Sequence, residues 1–192
     1  MIYNIVMKYK CLKEKTFKNG KYTIKAVLPV HIEKIRQWRN EQMDYLRQSK
    51  PISKEEQIVY YEKHIWSELK YDEPNQILLS FLSNNELIGY GGLVHISWEH
   101  LRAEISFICN PRIFGQDQLY RICFIKFLEM IKDLSFNSLG LKRLFTETFS
   151  FRKEQISVLI DFGMEIEGVL KSSYKINGKY CDSVIQSVIN KC

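Results

Sequence analysis

The sequence lacks any apolar run that approaches the ~20 residues needed for a membrane-spanning helix. Residues 1–7 contain no basic leader, and their apolar stretch is shorter than that of a secretory signal. We therefore expect a chain with no membrane partner that acts in the cytoplasm. No internal repeat or low-complexity tract is present either, which favours a single folded unit over a repeat array.

The sequence also lacks cysteines at the spacings of redox or zinc-binding motifs. The five cysteines are scattered and odd in number, no Cys-x-x-Cys occurs, and no Cys/His pair has the spacing of zinc ligands. We predict reduced thiols and no metal site. None of the four histidines stands in a triad-like signature with a serine or cysteine, so nucleophilic catalysis of that kind is not predicted.

Positive charge is in excess but is confined to one end of the chain. The net charge is +6, and residues 1–25 hold seven lysines and one glutamate, whereas residues 26–192 hold 21 basic and 21 acidic residues. One interpretation is a basic arm for an anionic partner. The other, which we favour, is a solvated hairpin whose lysines protect a strand edge. On that interpretation no nucleic-acid partner is expected.

The hydropathy pattern predicts an α/β (α+β) fold with a mixed sheet. With 45% apolar and 13% aromatic residues, the chain can bury a sizeable core. We divide it into a basic N-terminal extension, 1–20, and one domain, 21–192. Strands are predicted at 2–12, 22–28, 76–82, 86–98, 102–109, 141–149, 169–176 and 179–189, and helices at 29–43, 53–70, 118–134 and 152–162.

A short segment between a strand and a helix has features of an anion-binding loop. Arg112-x-x-Gly115-x-Asp117 directly precedes the helix predicted at 118. Gly115 permits a tight turn in which consecutive backbone N–H groups converge on a phosphate, and Arg112 adds a charge-assisted contact. An ordinary strand-to-helix connection with no ligand is the alternative.

Several strings, in this order along the chain, resemble the GNAT superfamily of acetyl-CoA-dependent N-acetyltransferases. The resemblance covers residues 22–189, and Arg112-x-x-Gly115 is similar to the superfamily's pyrophosphate loop. The other strings resemble its branch of ribosomal-protein and aminosugar acetyltransferases; they are Trp38-Arg39-Asn40, Pro51-Ile52-Ser53, Leu87-Ile88-Gly89-Tyr90-Gly91-Gly92-Leu93, Ala103-Glu104-Ile105-Ser106-Phe107, Gly168-Val169-Leu170 and Asn177-Gly178-Lys179-Tyr180-x-Asp182-Ser183.

The resemblance implies a mostly antiparallel sheet with one splayed parallel strand pair, and acetyl transfer from acetyl-CoA to the primary amine of a small acceptor. We expect the acceptor to be an amino sugar, either free or linked to a nucleotide. A protein N-terminus is the alternative substrate, and a CoA-binding protein without activity is the alternative function. The chain would act as a monomer or a homodimer.

The resemblance also implies which residues bind the cofactor. Asp117 departs from the family pattern by replacing a small residue, and Arg152 and Leu159 stand where an asparagine and a tyrosine are usual. The usual tyrosine general acid is therefore missing. The residues expected to bind acetyl-CoA are Phe107, Ile108, Cys109, Arg112, Phe114, Gly115, Gln116, Asp117, Gln118 and Arg152.

Two strand glutamates are the candidates for proton transfer. Period-two alternation places Glu104 on one face with Ser106 and Ile108, and places Glu147 on a face with two phenylalanines. A glutamate can take the proton that an alkylammonium must lose before it attacks a thioester. We predict Glu104 as the base, with Glu147 and Ser106 as further catalytic candidates. The alternative for each glutamate is a structural ion pair; the basic neighbours are Arg102, Lys142 and Arg143.

In the resembling fold, the acceptor pocket lies beside residues 44–52 and 98–100. Arg39, Tyr45 and Arg47 are expected to hold an anionic acceptor, such as the diphosphate of a nucleotide sugar. His95 and Trp98 complete the predicted substrate-binding set. The structural alternatives are a surface salt bridge for Arg39, a hydrogen-bonded histidine at 95 and a core or rim tryptophan at 98.

Overall fold

A computed structural model describes residues 7–191. Within that range eight strands form one sheet in the order β1-β2-β3-β4-β5-β6-β8-β7. The elements are β1 (Thr16–Asn19), β2 (Tyr22–Ala26), α1 (Pro29–Glu41), α2 (Lys54–Tyr60), β3 (Ile77–Ser83), β4 (Glu86–Ser97), β5 (Arg102–Cys109), α3 (Pro111–Phe114), α4 (Asp117–Asp133), β6 (Arg143–Phe149), α5 (Lys153–Asp161), β7 (Glu165–Ile176) and β8 (Lys179–Ile189).

Strand direction is antiparallel throughout the sheet except between β5 and β6, which run parallel. The crossover between these two strands carries α3 and α4, as a parallel connection requires. The predicted α/β fold, a mostly antiparallel sheet with one parallel pair and flanking helices, is confirmed.

One face of the sheet is covered by α4 and carries an aromatic core. The ring of Phe107 stacks on Phe124 of α4 with 4.8 Å between centroids, and Phe127 and Phe81 pack around them. All four rings are buried. Complete burial stabilises the fold by roughly 1.5–3 kcal/mol per large apolar side chain, so this layer fixes where β5 lies.

The opposite face is covered by α1 and α2. Ile35 and Trp38 of α1 pack with Tyr61, which follows α2, over Tyr90 of β4. His31 of α1 is buried, and its Nδ1 lies 2.6 Å from Ser80 Oγ on β3. This face therefore contains polar contacts as well as a small apolar core, and the candidate site opens on it.

The N-terminal strand predicted at 2–12 is wrong for the residues that the structure describes, and residues 2–6 lie outside them. Residues 7–12 form no strand, and the first arm of the hairpin is β1. The apolar residues there are anchors: Tyr9 is 1% exposed, and its hydroxyl lies 2.9 Å from Leu78 N. The predicted turn at 18–21 is correct, with Gly20 at φ 59°. A domain boundary at residue 20 stays a prediction.

Three other elements differ from expectation in their form. The helix predicted over 53–70 begins with the expected capping box of Ser53 and Glu56, but α2 ends at Tyr60 and continues as a π turn and a 3₁₀ turn. The connection predicted at 110–117 contains the single helical turn α3. The strand predicted at 169–176 begins earlier, at Glu165.

Candidate active site

The site forms where β5 and β6 part from each other. Their pairing extends only from Arg102 and Arg143 to Glu104 and Phe145, and beyond that point no residues of the two strands are in register. The remaining halves, residues 105–109 and 146–149, diverge around a groove. A groove between separating parallel strands exposes backbone groups that a bound molecule can pair with.

Glycines of β4 determine which backbone groups of β5 face that groove. A Cβ atom on Gly91 would stand 2.0 Å from Ser106 O, and one on Gly89 would stand 2.9 Å from Ile108 O. These carbonyls therefore point towards β4. Because strand residues alternate, Phe107 and Cys109 direct their N–H and C=O groups to the opposite edge, into the groove. The carbonyl of Cys109 accepts a hydrogen bond there from Gln42 Nε2 at 2.9 Å.

Both predicted carboxylates lie on the α1/α2 face. They lie at the end of the groove where the pairing of β5 and β6 stops, which we call the closed end. Glu104 is 8% exposed, and it shares its face with Ser106 and Ile108 as the alternation predicted. The two strand glutamates are joined by Arg47. Arg47 Nη2 lies 3.0 Å from Glu104 Oε1, 3.1 Å from Glu147 Oε2 and 3.2 Å from the Glu147 carbonyl oxygen. The basic partner of both glutamates is thus Arg47, and not Arg102, Lys142 or Arg143.

The two carboxylates differ in their remaining partners. Glu147 Oε1 accepts a 2.6 Å hydrogen bond from Ser183, and its Oε2 accepts one of 3.2 Å from Tyr174. Among residues 7–191, the other partner of Glu104 beside Arg47 is the imidazole of His95, whose Nε2 lies 3.6 Å from Oε2. Glu147 is therefore fixed on both oxygens, whereas Glu104 can exchange partners more readily.

Arg47 is held in place by the charges that it bridges. Burial acts against its charge, but Glu104 and then Glu147 outweigh that effect, so the pKa of Arg47 is raised. The guanidinium also lies 5.3 Å from the ring centroid of Tyr174. Arg47 belongs to the irregular stretch between the 3₁₀ turn Met43–Tyr45 and α2, so only side-chain contacts fix its position.

Two further arginines line the groove and have no carboxylate partner among residues 7–191. Arg39 donates to Gln48 Oε1 at 3.0 Å and to the Tyr90 hydroxyl at 2.7 Å. Arg152 donates to the Tyr45 carbonyl at 3.2 Å, and its guanidinium lies 5.8 Å from the Tyr45 ring centroid. Burial lowers the pKa of Arg152. These two partly buried guanidinium groups thus make their hydrogen bonds to neutral groups, although Glu41, Asp117 and Glu154 line the same end of the groove as Arg152.

The segment expected to cradle a phosphate has a different local structure. In α3, the N–H of Arg112 donates to the side chain of Asn110, and the N–H groups of residues 113 to 116 donate to carbonyls of residues 110, 111 and 113. These N–H groups do not converge on an open space in this conformation, and binding of the pyrophosphate at this segment stays a prediction. Asn110 caps the turn and Pro111 occupies its first position, a helix-start signal that the sequence contained.

The ten predicted cofactor residues divide into those that line the groove and those that do not. Phe107 and Ile108 line the closed end. The wide end is lined by Phe114, Gly115 and Asp117, together with Arg152, and it meets the closed end at Tyr45. The others line neither part: these residues are Cys109, Arg112, Gln116 and Gln118.

The predicted acceptor residues are also not all together. Arg39, Tyr45 and Arg47 line the closed end of the groove. His95 reaches Glu104 from a bulge of β4, where its φ is 50°. Trp98 is not part of the site, because its indole donates to the Pro74 carbonyl at 2.9 Å and packs on the core. Residues that sequence reasoning missed are Tyr174 and Ser183, which come from the β7–β8 hairpin.

Position 159 offers no general acid. Leu159 is fully buried in the core beneath α5, so no polar group replaces the usual tyrosine there.

Neither a metal centre nor a membrane span is found in the described part of the chain. No three His, Cys, Asp or Glu side chains between residues 7 and 191 are grouped as metal ligands. Within the same range, every helix is too short or too polar to cross a bilayer.

A family model described as "Acetyltransferase (GNAT) domain" matches residues 24–185, which is most of the sequence. The chain belongs to the GNAT acetyltransferase family. It is an acetyl-CoA-dependent N-acyltransferase, and acetyl-CoA is its co-substrate. No curated protein shows significant similarity to it.

Solved structures share this GNAT fold at low sequence identity. Spermidine N-acetyltransferase from Vibrio cholerae, in complex with CoA and spermine, superposes with a TM-score of 0.76 at 24% identity, over 89% of this chain and 96% of that one. A dodecameric structure of that enzyme gives 0.71 at 22% identity, over 89% and 95%. Another solved acetyltransferase gives 0.73 at 19% identity, over 92% and 97%.

The groove of this GNAT domain suits the co-substrate in charge and in shape. The guanidinium of Arg152 at the wide end has no salt-bridge partner among residues 7–191 and is a partner for a phosphate anion, although Glu41, Asp117 and Glu154 line the same end. The edge of β5 at Phe107 pairs with no residue of β6 and is a partner for an extended amide chain. The closed end carries the two glutamates. Arg152 and the β5 edge are therefore the residues that would hold acetyl-CoA.

Proposed function

We propose that this acetyltransferase acetylates the primary amine of a small acceptor, with an amino sugar, free or nucleotide-linked, as the first candidate. The observation that carries the proposal is the placement of Glu104 and Glu147 on one face at the end of the splayed groove. Acetyl-CoA supplies an activated acetyl thioester. The enzyme must hold the acceptor amine beside that thioester and remove its proton.

Glu104 is the proposed general base. An alkylammonium has a pKa far above neutrality, so it must lose a proton before it can attack. Glu104 is buried at the closed end and has fewer fixed partners than Glu147, so its oxygens are the more available to an acceptor. A positioned base of this kind contributes about 10²–10⁴ in rate.

Glu147 is proposed as a positioning residue. Ser183 and Tyr174 fix its carboxylate, and through Arg47 it orients the partner of Glu104. Ser106 lines the groove on the same face as Glu104, which supports a contact with either substrate. Tyr45, at the junction of the two ends of the groove, would separate the acceptor from the bulk of the cofactor.

A thiol-release assay with acetyl-CoA tests this function. The panel contains amino sugars, nucleotide-linked amino sugars, aminoglycosides, polyamines and peptides with free N-termini. We expect acceptor-dependent thiol release with the amino sugar group, and acetylated product by mass spectrometry. Activity restricted to peptides would replace the proposed acceptor by a protein N-terminus, and no release with any amine would contradict the proposed function itself.

A further inference from the structure

Arginine is already in excess over glutamate around the closed end of the groove before any acceptor arrives. Two glutamates, Glu104 and Glu147, face two arginines, Arg39 and Arg47, and Arg152 lies further along towards the wide end. A simple amine would enter as an ammonium and add one positive charge. In a partly buried site, an uncompensated charge is strongly unfavourable.

Arg47 already occupies the carboxylate oxygens that the ammonium must approach. Its Nη2 is within 3.1 Å of an oxygen of each glutamate, and its Nη1 lies 3.5 Å from Glu104 Oε2. An ammonium that reaches Glu104 therefore competes with the guanidinium. An ammonium that displaces Arg47 from Glu104 leaves Glu147 as the one carboxylate on Arg47, in a site where the guanidinium is only one-third exposed.

We propose that the acceptor carries an anionic group as well as its amine, and that it exchanges with the internal ion pair, the ammonium replacing Arg47 on Glu104 while Arg47 takes the anion. This proposal rests on the proposed function and narrows its substrate class. An acceptor with both charges satisfies each group of the site, whereas a polyamine would add positive charge to a cavity that already holds three guanidinium groups.

Arg39 provides a second place for the anion. Its bonded partners, Gln48 and Tyr90, are neutral, so its charge lacks a counter-ion among residues 7–191. Arg39 also borders an adjoining cavity of about 340 Å³, whose walls include Tyr60, Tyr61 and Leu78. That cavity is apolar enough for a flat or hydrocarbon part of the acceptor, with its anionic group at the arginine.

Matched acceptors test the proposal with the unmodified enzyme. We would compare kcat/KM for glucosamine with its phosphate ester, and for a linear diamine with the ω-amino acid of the same chain length. Spermidine represents the polyamines. We expect the anion-bearing member of at least one pair to be favoured by about tenfold or more, since its anion gains a charge-assisted hydrogen bond to an arginine. The phosphate and carboxylate pairs distinguish the two kinds of anion.

Arginine variants then assign the preference to residues. Arg47→Gln and Arg39→Gln should each reduce the ratio of kcat/KM between anion-bearing and simple amines, mainly by lowering the first value. Lys34→Gln removes one positive charge from the exposed face of α1 and serves as the matched control, with an unchanged ratio.

The outcomes separate the two proposals. Thiol release with simple amines or polyamines at the same or higher kcat/KM in wild type would overturn the exchange but leave amine acetylation standing. An anion preference that survives both arginine variants would overturn the role of Arg39 and Arg47. Absence of release with every amine would overturn both proposals.

Discussion

The two ends of the groove handle charge in opposite ways. At the closed end, Glu104 and Glu147 are already bridged by Arg47, so a ligand must displace an existing contact. At the wide end, Arg152 contacts a carbonyl and aromatic rings and has no salt-bridge partner among residues 7–191, so a ligand can add an interaction without displacing one. The difference indicates that Arg152 is available to an anionic group in the free enzyme, whereas an acceptor at the closed end must compete with Arg47.

The largest effect is expected from Glu104→Gln at the closed end. The amide keeps the size of the side chain but cannot take a proton, so kcat should fall by about 10² or more. Binding of acetyl-CoA, measured by calorimetry, should stay within a few-fold of wild type. Steady-state thiol release with the best acceptor measures the first quantity.

Glu147→Gln is the matched comparison for that variant. Its carboxylate is a positioning group in this account, so kcat should fall less than in Glu104→Gln, and KM for the acceptor should rise. If Glu147→Gln lost more turnover than Glu104→Gln, the roles of the two glutamates would be reversed.

The next effect concerns the close approach of β4 to β5, the strand that lines the groove. A Cβ on Gly91 would meet the backbone at Ser106 O, 2.0 Å away, which side-chain movement cannot relieve. Gly91→Ala should lower the free energy of unfolding by about 1–3 kcal/mol and disturb both ends together. Urea denaturation measures it. The control is Gly168→Ala, where nothing lies within 4 Å of the added Cβ; equal losses in the two variants would argue against the close approach of β4 and β5.

A smaller, local effect is expected at the wide end. Arg152→Gln should weaken acetyl-CoA binding about tenfold, since it removes one charge-assisted contact, and should leave the acceptor KM unchanged. Arg112→Gln should weaken binding less, because Arg112 does not line the groove. Calorimetric titration of both variants decides the order, and a greater loss in Arg112→Gln would move the phosphate site to α3.

The smallest effect is a pH dependence of stability on the α1 side. Burial lowers the pKa of His31 from its ordinary value of 6.5 to about 4. Between about pH 6.5 and pH 4, His31 is therefore protonated in the unfolded chain but neutral in the folded chain. The contribution of His31 to the free energy of unfolding is complete above pH 6.5 and decreases as the pH falls. From these pKa values we expect a loss of at most roughly 2 kcal/mol between pH 7 and pH 5.

Thermal unfolding across that pH range, with and without His31→Gln, measures this contribution. The variant should show a flatter pH dependence than wild type. The exposed His64 provides the control variant, His64→Gln, which should retain the wild-type slope. Identical slopes in all three proteins would show that His31 does not carry the effect.

Local patterns in the sequence predicted the strands of the site and the face of each glutamate. Period-two alternation is sufficient to place Glu104 with Ser106, and Asn177-Gly178 correctly indicated the β7–β8 hairpin. The partner of the glutamates was not predictable in the same way. Arg47 lies 57 residues before Glu104 and 100 before Glu147, in a stretch without periodicity, so only the folded arrangement brings the three together.

The cofactor segment illustrates a different limit of sequence reasoning. The Arg112-x-x-Gly115 pattern indicated a loop, whereas Asn110 and Pro111 begin a helical turn that uses the backbone donors locally. The capping residues, and not the Arg-x-x-Gly pattern, therefore determine the local structure.

The stretch around Tyr9 was mispredicted for another reason. Its apolar residues alternate as in a strand, but Tyr9 is apolar there because it is buried against β3.

Amide hydrogen exchange with saturating acetyl-CoA is the sharpest test of whether the edge of β5 holds the co-substrate. Bound acetyl-CoA should slow exchange at Phe107 and Cys109, whose backbone groups point into the groove, while Ser106 and Ile108, directed towards β4, should change less. Tight acetyl-CoA binding with unchanged exchange at Phe107 and Cys109 would contradict that role of the β5 edge.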